Sequence, residues 1–221
     1  MLKGLPSTDW IPPLLKYYDR FGYKQIMEFL RLLDNKFSAD WICQYTPTTR
    51  IENMNKIIRV VEEASQPGEV IASDCFDFDK ESFLRQIDSM VYGRRFTRYI
   101  LLKLDYIYQD QTQTMSIEFL SVEHILPQSP KDDSQWKKDF TDEQREEWTD
   151  RLGNLVLISK RKNASQGRLD YVDKKKKYFE KRINSCPNSA HVLNEYTKWT
   201  PVELQDNHRT VIERLKEYYQ I

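Results

Sequence analysis

Residues 117–128 read IEFLSVEHILPQ and residues 152–163 read LGNLVLISKRKN. Both stretches are short, and both concentrate β-branched and large apolar side chains, so they predict strands near 117–125 and 154–158. A charged, mostly helical insertion separates them. After the second strand, SKRKNASQGR suits a short helix ended by Gly167, which makes the local order strand, strand, helix. Nearly everything else in the chain carries helical periodicity. The fold class is therefore mainly α with a small β-hairpin.

Upstream, residues 8–109 read as helical. Ser7 or Thr8 is placed to cap the first helix, and Pro12 and Pro13 fit only its first turn. Ile26, Phe29, Leu30, Leu33 and Phe37, then Ile51, Met54, Ile57, Ile58 and Val61, recur at three- and four-residue spacing and mark two buried stripes. SQPGEVIASDC interrupts this pattern at Pro67-Gly68 and suggests a boundary between a helical N-terminal part, 1–78, and a second part, 79–221. Helices follow around 79–90 and 94–108, parted by Gly93, and the C-terminal part adds helices at 170–183 and 200–218.

The 221 residues are 39% hydrophobic and 13% aromatic, enough to fill one large core or two small ones. No apolar run approaches the roughly 20 residues that span a bilayer, and the N-terminus lacks a signal-peptide pattern, so the sequence reads as soluble and cytoplasmic. Cys43, Cys75 and Cys186 form no CxxC pair, which argues against a disulfide framework and a cysteine zinc knuckle. Thirty-four basic residues balance 34 acidic ones, so the net charge makes no case for nucleic acid. Locally the charges separate. Residues 158–182 hold ten basic against three acidic side chains, a net of +7, while 132–150 hold three against eight, a net of −5. The Lys174–Lys177 run taken alone reads as a solvated helix face.

Four polar residues lie on the strand–strand–helix unit. Glu123 offers a hard carboxylate oxygen of the kind Mg²⁺ or Mn²⁺ accepts, and His124 can take a proton from water near neutral pH. Adjacent strand residues face opposite ways, so both serve one site only if the strand ends or bends there. Asn154 opens the second strand and Asn163 lies on the short helix. An asparagine can orient an imidazole through a hydrogen bond or lend a carbonyl oxygen to a hard cation. Lys160, Arg161, Lys162 and Arg168 surround Asn163 as phosphate-contact candidates. His191 and His208 are distant in sequence and read as surface or helix-packing residues.

EHILPQ followed by LGNLVLISKRKN resembles the ββα-metal, or HNH, nuclease motif in its His-Asn-Asn form. The likeness is closest to the C-terminal nuclease domain of GmrSD-type modification-dependent restriction enzymes and related phage-defence proteins, with Trp136 and Trp148 matching the tryptophan-containing insertion. The resemblance implies a ββα core embedded in a helical domain and a DNA endonuclease or nickase. Glu123 and Asn163 would ligate one Mg²⁺ or Mn²⁺, His124 would activate water, and Asn154 would orient His124. Asparagine at 163, where many such enzymes carry histidine, favours those hard ions over zinc. The resemblance also implies a nucleotide-binding regulatory region N-terminal to the nuclease. No DGQQR-like or P-loop segment occurs here, so the chain reads as a C-terminal fragment or a separately encoded effector half. The alternative is a non-catalytic nucleic-acid-binding or protein-interaction module that keeps the motif.

Overall fold

The computed structural model describes residues 5–109, 120–159, 167–180 and 186–221. The chain divides into two compact units, Met1–Gln86 and Ile87–Ile221.

In the first unit, α1 (Ile11–Phe21) packs along α3 (Pro47–Glu63), and α2 (Ile26–Ile42) lies against α3. Pro12 and Pro13 sit in the first turn of α1, where their missing N–H groups cost nothing. Trp10 holds the cap position without a side-chain bond, and Ser7 instead accepts the Asp9 N–H. The two predicted stripes supply Phe29, Leu33 and Phe37 from α2 and Met54, Ile57 and Val61 from α3 to the core. The second half of α2 is buried all round, so it takes charge inside. Lys36 Nζ lies 3.0 Å from Asp40 Oδ1 and donates to the Asp77 carbonyl, while Asn53 donates to Asp40 Oδ2 at 3.0 Å.

The Pro67-Gly68 interruption is not a boundary. Pro67 starts the short helix α4 (Pro67–Ile71), which packs with α2 and α3 and buries Val70. A 3₁₀ turn at Asp74–Phe76 returns to α2 and α3, and α5 (Lys80–Ile87) follows. The division into compact units falls between Gln86 and Ile87, in the last turn of α5.

In the second unit Gly93, at φ +79°, takes a backbone setting that favours glycine ahead of α6 (Thr97–Tyr108). α6 is buried over Tyr99, Ile100, Leu101, Leu102 and Leu104, as its apolar run predicts. Strands β1 (Leu120–His124) and β2 (Leu155–Ser159) pair antiparallel with Leu120 opposite Ser159 and His124 opposite Leu155. Residues 117–119 of the predicted first strand lie outside the described residues. The insertion forms α7 (Gln135–Asp139) and α8 (Asp142–Trp148), the latter opened by a Thr141/Gln144 capping box. α9 (Tyr171–Glu180), α10 (Pro187–Glu195) and α11 (Pro201–Tyr219) complete the unit. α10 has no counterpart in the sequence pattern because its nine residues carry a weak apolar stripe. Ile125, Leu126, Trp136, Phe140, Val156, Ile158, Tyr178, Val192 and Trp199 form one core around the hairpin. Among the described residues, no helix is long and apolar enough to cross a membrane.

One polar group in this unit carries a pH signature. Asp105 of α6 accepts the Asn188 N–H at 2.9 Å, at the start of α10, and its other oxygen is buried without a partner. Burial pushes its carboxyl up to about 7 from an ordinary 3.8, against the pull of the Asn188 N–H and the neighbouring Cys186 thiol. Because the folded-state value is the higher one, the contribution is fully present below pH 4 and is lost as pH rises through about 7. Asp105→Asn keeps the acceptor and removes the proton. We expect the melting temperature of the wild type to fall relative to Asp105→Asn between pH 4 and pH 7. Parallel melting curves across that range would refute the assignment.

Candidate active site

Glu123 and His124 close β1, and both are buried. The strand ends at His124. Its pairing stays regular through Glu123 opposite Val156 and His124 opposite Leu155, so neighbouring side chains leave on opposite faces and meet different partners.

His124 faces the loop after α8. Its Nε2 lies 2.9 Å from Asp150 Oδ1, and Tyr92 packs against the ring with centroids 4.3 Å apart. Gln128 Nε2 donates to the same Asp150 oxygen at 3.1 Å. A carboxylate accepts, so the ring carries its proton on Nε2 and leaves Nδ1 as a basic lone pair. Burial holds the imidazole below its ordinary 6.5, the Asp150 hydrogen bond and charge pull it back, and Lys174 adds to the fall.

Asn154 sits in a 3₁₀ turn, Leu152–Asn154, one residue before β2. It does not bond the His124 ring. Its Nδ2 donates to the carbonyls of Leu126 at 2.9 Å and Thr149 at 2.8 Å, and its Oδ1 accepts the Leu126 N–H at 2.8 Å. The amide is therefore spent on backbone, tying the segment after His124 to the segment before Asp150. The ring's partner is Asp150, which in the sequence stands out only as one member of an acidic stretch. A fully buried asparagine with three backbone partners holds loops, and ring orientation follows at one remove.

The turn bearing Asn154 is itself clamped by α11. Asn207 Nδ2 donates to the Gly153 carbonyl at 2.6 Å, and the Gly153 N–H donates to His208 Nδ1 at 3.1 Å. His208 Nε2 in turn lies 2.8 Å from Asp88 Oδ1. Burial lowers the His208 pKa, Asp88 opposing it. A neutral ring with its proton on Nε2 satisfies both contacts. His208 is thus a helix-packing residue with a specific partner on each ring nitrogen, and its distance in sequence conceals both. Contact is so close that a Cβ on Gly153 would stand 2.5 Å from His208 Cα.

Glu123 faces α9. Lys174 Nζ donates to Glu123 Oε1 at 2.8 Å and to the His124 carbonyl at 2.6 Å, with the lysine side chain only 3% exposed. Burial pushes Glu123 up and Lys174 down, and each partner draws the other back toward its charged form. For a divalent ion, the chemistry at Glu123 fits: a buried carboxylate that already requires a cation beside it. No cluster of three His, Cys, Asp or Glu residues among the described residues could hold a metal ion, so Glu123 is the one expected ligand in view. Asn163, Lys160, Arg161 and Lys162 lie outside the described residues. Arg168 is exposed, as are Lys176 and Lys177 of α9, whereas Lys175 donates to the Tyr196 carbonyl.

The family model for the C-terminal domain of GmrSD restriction endonucleases matches residues 77–214. The chain belongs to this family. No curated protein matches the chain at a significant level. All the groups described above, from Asp88 to His208, fall inside the GmrSD segment. Among the described glycines of that segment, Gly153 has the nearest neighbouring atoms. Gly153→Ala forces α11 away from the turn, and we expect a loss of about 1–3 kcal/mol of stability by urea unfolding. An unchanged midpoint would show that the turn and α11 separate freely.

Proposed function

We propose that this GmrSD C-terminal domain is a metal-dependent DNA endonuclease or nickase of the HNH type, the effector part of a restriction or phage-defence protein. The observation that carries the reading is the His124–Asp150 pair. The fixed Nε2 proton leaves Nδ1 to take a proton from water, and the adjacent carboxylate stabilises the imidazolium that forms. The hairpin, with the segment bearing Asn163 after it, supports a ββα core. Mg²⁺ or Mn²⁺ would be held by Glu123 and Asn163, and when bound would stabilise charge developing on the phosphate and on the departing 3′-oxygen.

The chain's own residues do the rest. Asn154 keeps His124 and Asp150 in register by holding Leu126 and Thr149. Gln128 and Tyr92 limit movement of the Asp150 carboxylate and the ring. Exposed Arg168, Lys176 and Lys177, together with Lys160, Arg161 and Lys162, offer phosphate contacts that position a strand without reading bases. Target choice and nucleotide-driven control then belong to an N-terminal nucleotide-binding regulatory region acting as partner.

Plasmid nicking with Mg²⁺, with Mn²⁺ and with chelator tests this, using the chain alone and together with the proposed regulatory partner. We expect both His124→Ala and Asp150→Asn to lower the rate by roughly 10²–10⁴-fold, with chelator abolishing wild-type nicking. Equal residual nicking in wild type and His124→Ala would favour the non-catalytic binding module instead. Preferential cleavage of RNA in a mixed-substrate reaction would overturn the choice of DNA.

A further inference from the structure

Residues 174–177 are four consecutive lysines, yet they do different things. Lys176 and Lys177 face solvent and Lys175 reaches the Tyr196 carbonyl. Lys174 alone turns inward. Together with Tyr171 and Tyr178 it occupies the buried stripe of α9, at the three- and four-residue spacing where an apolar side chain is expected. A lysine is almost never fully buried without a partner, and here the partners are the Glu123 carboxylate and the His124 carbonyl.

We propose that Lys174 is the resting counter-cation of Glu123, and that a divalent ion loads the site only by displacing this ammonium from Oε1. The inference rests on Glu123 being a metal ligand. A single carboxylate cannot hold an ammonium at 2.8 Å and a dication together without placing two like charges a few ångströms apart in a site shielded from water. The two cations therefore compete. The competition has a structural benefit, because an uncompensated carboxylate in this position would cost stability whenever metal is absent. Lysine suits such an exchange, since its flexible four-carbon stem lets the head withdraw from the carboxylate while one of its remaining donors keeps the His124 carbonyl. Lys174 is a positioning residue on this view, acting through Glu123 and not on substrate.

Mn²⁺ binding by calorimetry, and the rise in melting temperature with Mn²⁺, measure this without any turnover. The chain would be compared as wild type, Lys174→Gln, Lys174→Met, Lys174→Arg and Glu123→Gln. We expect Lys174→Gln and Lys174→Met to bind Mn²⁺ roughly tenfold more tightly than wild type and to gain more melting temperature from it. Lys174→Arg, which keeps the charge, should stay near wild type, and Glu123→Gln should weaken binding. A Lys174→Met chain that folds only when Mn²⁺ is present also supports the proposal. If Glu123→Gln weakens Mn²⁺ binding while both neutral variants bind as wild type does, the competition is wrong and the metal reading survives. If Glu123→Gln leaves binding unchanged, the metal reading fails and takes the proposal with it. Neutral variants that stay unfolded even with Mn²⁺ would make Lys174 purely structural and overturn the proposal.

Discussion

Three hydrogen bonds from the Asn154 amide join what the chain leaves apart. Leu126 follows the end of β1 by two residues and Thr149 follows α8, and one buried side chain satisfies backbone groups of both. Because Asp150 comes next after Thr149, this tie brings its carboxylate to His124. Every bond in the set is to backbone, so the arrangement does not depend on the identity of the side chains at 126 and 149. It depends on Asn154 staying in place, and that falls to α11 through Asn207, His208 and the absence of a Cβ at Gly153.

Two histidine–aspartate pairs thus stand in series, with different uses. His208 and Asp88 use both ring nitrogens, so that imidazole has no basic lone pair to spare. His124 uses one, and no partner of its Nδ1 lies among the described residues. The same side chain, similarly buried, is a brace in one place and, on the proposed reading, a base in the other. Glu123, the residue before His124 on β1, is held by Lys174, and the same ammonium also lowers the His124 pKa. His124 is the last residue of β1, and the buried ammonium ties this strand end together by holding the Glu123 carboxylate and the His124 carbonyl at once.

Much of this is legible in the sequence where local pattern governs structure. Short runs of β-branched and large apolar residues locate the hairpin, three- and four-residue spacing locates α2 and α3 with their buried stripes, and an apolar run locates α6. Residue chemistry singles out Glu123, His124 and Asn154. What escapes has a common cause: the deciding contact is long-range. Asp150 and Lys174 are members of a −5 and a +7 stretch, and composition cannot say which member of a charged run turns inward. A clue exists for Lys174, since it falls in phase with Tyr171 and Tyr178 on a helical stripe. For His208 there is none, because its partner Gly153 lies 55 residues away. The resemblance assigns Asn154 to the ring, and its three backbone partners show why residue type does not fix the partner.

The most direct measurement is the protonation pattern of the His124 ring, read by ¹⁵N NMR on histidine-labelled protein at neutral pH with His124→Ala to assign the signals. We expect a neutral ring protonated at Nε2, and a shift toward mixed tautomers in Asp150→Asn. A ring protonated at Nδ1, or a pattern indifferent to Asp150, would contradict the claim that this pair leaves His124 poised to accept a proton from water.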